Sequence, residues 1–204
     1  MNFSKPASKE QITKTAESLQ KNGMTVTVVK NGEEAKVKVI EILPQGGDVL
    51  TMTSVTLDTT GIAKEINESG KYNAIRQKLN SMAREKDSRK MQELGAAPDW
   101  TVGSVQAISE DGTVIVASNT GSQLPAYAYG AGHVVWVVGA QKIVKTMEEG
   151  MTRLYDYVLP LESERAHKAY GVPASFISKI LIFHREINPS RIHVILVEEE
   201  PLGF

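Results

Sequence analysis

The sequence predicts an α/β protein with a mixed, mainly parallel sheet and an added N-terminal helix. Three observations carry that prediction. Strand and helix periodicities alternate through the front half, as in βαβ units. The apolar run Val114-Ile115-Val116-Ala117 reads as a strand buried on both faces. Asp111-Gly112 reads as a tight turn, so the back half holds at least one antiparallel hairpin.

Each element has a local warrant. Ser8 and Gln11 are spaced as a capping box. Ile12, Ala16 and Leu19 follow at helical spacing, and Gly23 is a stop signal. Met24 to Val29 alternates and is rich in β-branched residues, so it reads as a strand, with Asn31-Gly32 turning the chain. Glu33 to Leu43 fits both periods. We read it as a helix, because a strand from Val49 to Thr53 follows and parallel strands need a crossover. Asp58 or Thr59 is placed to cap a short helix carrying Ile62 and Ile66. Lys71 to Leu94 reads as one long helix with Tyr72, Ile75, Leu79 and Met82 on one stripe. Its Arg84 to Lys90 section mixes charge signs, which describes a solvated face.

In the back half, Val102 to Ile108 reads as a strand and Thr113 to Ala117 as its hairpin partner. Val134 to Val138 is the next strand. A helix follows Gly139, with Ile143, Met147, Met151 and Leu154 facing inward, and a short helix spans Glu162 to Ala169. Met147, Met151 and Tyr155 read as a core stripe. Ile180 to Phe183 and Ile192 to Val197 close the chain as strands, with Asn188-Pro189-Ser190 turning between them.

Composition narrows the function classes. The chain has 204 residues, 41% of them hydrophobic, which suits one generous domain or one domain with an N-terminal addition. Its 23 basic and 24 acidic residues leave a formal charge of −1, so no overall field draws in nucleic acid or an anionic membrane. The apolar run Val134 to Val138 is far short of a membrane span. The first residues lack the apolar core of a signal peptide, so the expected location is the cytoplasm. The absence of cysteine removes disulfides, thiol nucleophiles and Cys-ligated iron–sulfur clusters. His133, His167, His184 and His193 show no metal-ligand spacing, so no metal is expected on protein ligands and no cofactor is implied.

Two post-strand loops carry the chemistry. Ser54 to Thr60 and Ser118 to Gln123 are rich in hydroxyls, and Asp58 is the only charge in either. In an open α/β sheet such loops meet at the carboxyl edge of the strands. There, hydroxyls and backbone N–H groups suit a phosphate or carboxylate. The plain alternative is a pair of polar connections. The expected ligand residues are Ser54, Thr56, Ser118, Asn119, Thr120, Gly121 and Ser122, with Lys142 and Lys179 as cations. Glu110, Glu162 and Glu186 are the candidate catalytic carboxylates. Each has a structural explanation: a turn residue for Glu110, a surface ion pair with Arg165 for Glu162, and a cross-strand salt bridge with Arg191 for Glu186. His133 opens a buried strand, where a hydrogen-bonded structural role is the commoner one. Gly130 and Gly132 form Gly-x-Gly, but they enter a strand rather than leave one.

Asp111 to Pro125 resembles the core of the LUD-domain family, the lactate-utilisation proteins. Val137-Val138-Gly139-Ala140-Gln141-Lys142-Ile143-Val144 looks like the next family segment, with its helix running on to Arg153. Ser54 to Leu57 and the tail from Lys179 to Phe204 look like a single-domain subgroup. The resemblance implies a LUD domain over residues 24–204 preceded by a helical extension over 1–23. It also implies a three-layer fold similar to sugar-phosphate isomerases and acyl-CoA transferases. The family is linked to lactate oxidation through multi-protein systems whose partner subunits carry iron–sulfur clusters. A chain without cysteine would serve there by binding a small anionic metabolite, or by assembling with such a partner. The alternatives are an isomerase or transferase acting on a sugar phosphate or CoA ester, and a scaffold whose loops only pack.

Overall fold

Two sheets, rather than one mixed sheet, organise the chain in the computed structural model, which describes residues 2–198 and 201–204. The strands are β1 (Thr25–Val29), β2 (Asp48–Thr51), β3 (Asn73–Ala74), β4 (Trp100–Gly103), β5 (Ala107–Ser109), β6 (Val114–Ser118), β7 (His133–Gly139), β8 (Ile143–Val144), β9 (Lys179–Phe183) and β10 (Ile192–Val197). The helices are α1 (Lys9–Lys21), α2 (Gly32–Ile42), α3 (Val55–Thr59), α4 (Ile62–Glu68), α5 (Ile75–Asn80), α6 (Arg84–Ala96), α7 (Met147–Arg153) and α8 (Leu159–Tyr170). Six strands pair in parallel in the order β1-β10-β7-β4-β2-β3. The other four pair in the order β8-β5-β6-β9, with β6 antiparallel to both of its neighbours. The antiparallel hairpin foreseen at Asp111-Gly112 therefore belongs to the small sheet, and the large sheet is purely parallel.

The layers follow from strand alternation. On β7, Val134, Trp136 and Val138 face one side with Leu50, Met52, Val194 and Leu196. They pack against Ile12, Ala16 and Leu19 of α1 and against Ile108, Val114 and Val116 of the small sheet. Val135 and Val137 face the other side with Val49, Val102, Ile195 and Val197, against Ala35, Val39, Leu57, Ile62 and Ile66 of α2, α3 and α4. The result is a three-layer α/β sandwich. The outer face of the small sheet, Ala107 and Ile115, is covered by Leu154 and Val158.

The capping box at Ser8 and Gln11 forms as read. Gln11 also donates to Glu110 Oε1 at 3.0 Å, and Lys14 pairs with Glu110 Oε2 at 2.7 Å, which fastens α1 to the hairpin. Several local readings are corrected. Asn31, read with Gly32 as a turn, is the cap of α2, its side chain accepting from Glu34 N at 3.0 Å, and Gly32 is already in the helix. Neither Asp58 nor Thr59 caps α4; Gly61, with φ +69°, does. The single helix expected over Lys71 to Leu94 is broken. Asn73 is drawn to the edge of β2, donating to Gly46 O and Asp48 Oδ1 at 2.9 Å, and Asp87 accepts from Ala83 N at 3.0 Å to start α6 afresh.

The expected strand from Val102 to Ile108 is two strands in different sheets, joined by Ser104-Val105-Gln106. Gly103 is the last residue of the first, and the position must be glycine, because a Cβ there would lie 1.8 Å from the Tyr127 hydroxyl. Ile143 lies in β8 rather than on a helix. Strands β9 and β10 are not a hairpin, since they belong to different sheets. The Glu186–Arg191 pair is accordingly not cross-strand. It is buried in the connection, at 2.7 Å, where Arg191 also donates to the carbonyls of Ala126, Tyr127 and Ala131. Among the described residues, no helix is long and apolar enough to cross a membrane.

Candidate functional site

A cleft opens at the junction of the two sheets. Its walls are the segment leaving β2 (Met52 to Thr56), the crossover from β4 to β5 (Ser104 to Gln106), and Lys142 in the turn after β7. Gln123, Tyr127, Glu162, Arg165 and Phe204 complete it. The cavity measures about 70 Å³. That is room for several water-sized groups, and so for a small carboxylate or phosphate.

Lys142 is the centre of the site. It is only 2% exposed. Its ammonium nitrogen donates to Thr56 Oγ1 at 3.1 Å and Ser104 Oγ at 3.0 Å. Among the described residues no carboxylate pairs with it. Desolvation is the main reason its pKa falls to about 7, and the positive charge of Arg153 lowers it further. Arg153 is fully buried at the end of α7. It donates to Gln106 O, and its guanidinium lies 5.2 Å from the Tyr157 ring centroid. Its Nε and Nη2 have no partner among the described residues, and burial brings its pKa down to about 10.

The opposite wall is ionic but neutral. Arg165 and Glu162, one turn apart on α8, make a fork of two hydrogen bonds, each 2.7 Å. That bond holds the Arg165 pKa above its ordinary value. Tyr127 is buried, which raises its phenol pKa, and it donates to Ser104 O at 3.4 Å. The segment 201–204 forms a further wall. Leu202 O accepts from Thr56 Oγ1 and from Gln141 Nε2, both at 3.0 Å. Gly203 has φ +65°, and a Cβ there would sit 2.7 Å from Thr56 Oγ1, so the chain approaches this closely only as glycine.

Of the residues singled out from the sequence, Ser54, Thr56, Lys142 and Glu162 come together here. Ser118, Asn119, Thr120, Gly121 and Ser122 do not line the cleft. The two hydroxyl loops do not share one sheet edge, because β2 and β6 belong to different sheets. The second loop spends its polar groups on itself: Ser118 Oγ accepts from Gly121 N and donates to Gln123 Oε1, each at 2.8 Å. That bond orients Gln123, which does line the cleft. Lys179 is exposed, its chain packed under Gly121. Glu110 and Glu186 lie elsewhere, in the ion pairs described above. His133 is exposed, its ring stacked on Trp100 at 4.1 Å. Ser104, Gln106, Tyr127 and Phe204 were not read as site residues. The available signal for the first two was the Gly103-Ser104 interruption of an otherwise β-like run.

A three-layer α/β protein with a polar cleft where its two sheets meet is the class that fold and site define. The LUD domain model matches residues 12–197, and the chain belongs to the LUD-domain family. It is similar to the crystal structure of a DUF162 family protein from Deinococcus radiodurans. The TM-score is 0.57 at 15% identity, over 94% of this chain and 99% of that one, a likeness of fold. Among curated proteins none matches this chain.

Proposed function

We propose that this LUD-domain protein binds a small anionic metabolite in the Lys142 cleft, as an accessory component of lactate or related organic-acid utilisation. The observation that carries the reading is Lys142 itself. A buried lysine with hydroxyl partners and, among the described residues, no carboxylate lacks a counter-charge there, and an entering anion supplies one. Ser54, Thr56, Ser104 and Gln123 offer the polar contacts that orient such a group. Glu162 lines the cleft, but Arg165 holds both its oxygens, so we assign it to positioning Arg165 rather than to proton transfer. With no cysteine in the chain, any iron–sulfur redox step in such a system belongs to a partner subunit.

The test is calorimetric titration of the protein with L-lactate, pyruvate, glycolate and inorganic phosphate at pH 6.5 and pH 8.5. Expected is saturable binding of at least one of them. It should be weaker at pH 8.5, where Lys142 has lost its proton, and weaker by on the order of tenfold or more in Lys142→Met. If none of the four binds the wild-type protein at either pH, the reading fails.

A further inference from the structure

We infer that Lys142 forms a reversible imine with a short-chain 2-oxo acid bound in the cleft. This rests on the anion-binding role proposed above and names its substrate class.

The geometry around the amine carries the argument. Thr56 Oγ1 gives its one proton to Leu202 O at 3.0 Å, so it acts as an acceptor toward Lys142. Ser104 Oγ is the second acceptor, at 3.0 Å from Nζ. Two N–H groups are thereby satisfied, which is the full donor complement of a neutral amine. The remaining tetrahedral position on nitrogen holds either a third proton or a lone pair. Burial favours the lone pair. So does Arg153, a second buried cation. Among the described residues, the charged and titratable groups on the other elements around the cleft are Glu162 and Arg165 on α8, which neutralise each other, and the buried phenol of Tyr127. None of them restores a counter-charge to the ammonium. The Lys14 and Lys71 amines show the contrast: each is paired with a glutamate that holds its proton on.

The same features select the partner. A neutral amine on a cavity wall is a nucleophile for a carbonyl carbon. A carboxylate on that molecule meets the positive field of Arg153 and the cleft hydroxyls. The small cleft, with Met52, Tyr127 and Phe204 in its walls, suits a short-chain acid. The nitrogen lone pair forms the C–N bond while the carbonyl π pair moves to oxygen, and a proton passes from nitrogen to that oxygen. Loss of the second N–H proton with the hydroxyl then releases one water and leaves the imine. No oxidant or reductant enters. The Ser104 hydroxyl, hydrogen-bonded to Nζ, is placed to relay these protons.

The experiment is hydride trapping. Wild-type protein is incubated with pyruvate and cyanoborohydride, digested, and mapped by mass spectrometry, with L-lactate, which has no ketone, in a parallel sample. Expected is a reduced pyruvate adduct on Lys142 with pyruvate only. At pH 7.5 it should exceed the yield on an exposed lysine by roughly 500- to 1,000-fold, the ratio of their neutral fractions. The adduct yield should rise through pH 7, whereas exposed lysines respond only well above it. No adduct on Lys142, or one no greater than on exposed lysines, overturns the inference. Calorimetry separates this from the earlier reading: anion binding without trapping leaves binding standing and removes the imine.

Discussion

At the scale of single residues, Lys142 links burial to pH. Its ordinary pKa is 10.5 and its folded pKa about 7. Below pH 7 both the folded and unfolded chains carry its proton, and the penalty for burying the charge is at its largest. Between pH 7 and 10.5 the unfolded chain holds a proton that the folded chain lacks, so stability rises with pH across that window. Lys142→Met should therefore raise stability by on the order of several kcal/mol at pH 6.5, and should flatten its pH dependence between 7 and 10. Urea unfolding of both proteins at pH 6.5, 8 and 9.5 checks this; an unchanged pH slope contradicts it. Arg191 acts in the opposite sense. It is 6% exposed and satisfies Glu186 and three carbonyls at once. Arg191→Leu leaves a buried carboxylate unpaired and should destabilise by about 3–5 kcal/mol, read as a lower urea midpoint. Both residues were visible in the sequence as charges. Their burial was not, because it comes from strands and loops distant in sequence.

At the scale of elements, the hydroxyl loop after β6 and the crossover after β4 exchanged the roles their sequences advertised. Ser118 to Ser122 looks like a ligand loop, yet its groups close a turn. Gly121 has φ +87°, and a Cβ there would lie 2.7 Å from Lys179 Cδ. Gly121→Val should cost about 1–2 kcal/mol through backbone strain, with Lys179 swinging aside. The binding constant of any anion held at Lys142 should change by less than about threefold, because Gly121 does not line the cleft and reaches it only through the Ser118 bond to Gln123. A lost calorimetric response in a folded Gly121→Val protein would move the site to the loop. Gly103 looks like an interruption of a strand, yet it is where the chain leaves the large sheet and opens the cleft. Gly103→Ala forces Tyr127 out of the wall and should cost about 1–3 kcal/mol, measured by thermal unfolding.

At the scale of the whole molecule, protection from solvent should follow the layers. β10 and β7 are interior strands of the parallel sheet and nearly all their residues are buried. α6 has no buried residue. Hydrogen–deuterium exchange should therefore be slowest along β7 and β10 and fastest in α6, by several orders of magnitude in rate. Comparable rates would mean that α6 is covered by a partner in solution.

Local periodicity determined the strand and helix content of most of this chain, because caps, turns and apolar spacing act over a few residues. The α1 capping box, the α2 crossover and the Asp111-Gly112 hairpin were all legible in that way. What tertiary structure alone decided was the partition into two sheets. A β-like run carries no mark of which neighbour it will pair with, and β4 and β5, which read as one strand, pair in different sheets. That partition also decided the site. Lys142, Thr56 and Ser104 stand far apart in sequence, and only the junction of the sheets buries them around one amine with no counter-charge among the described residues.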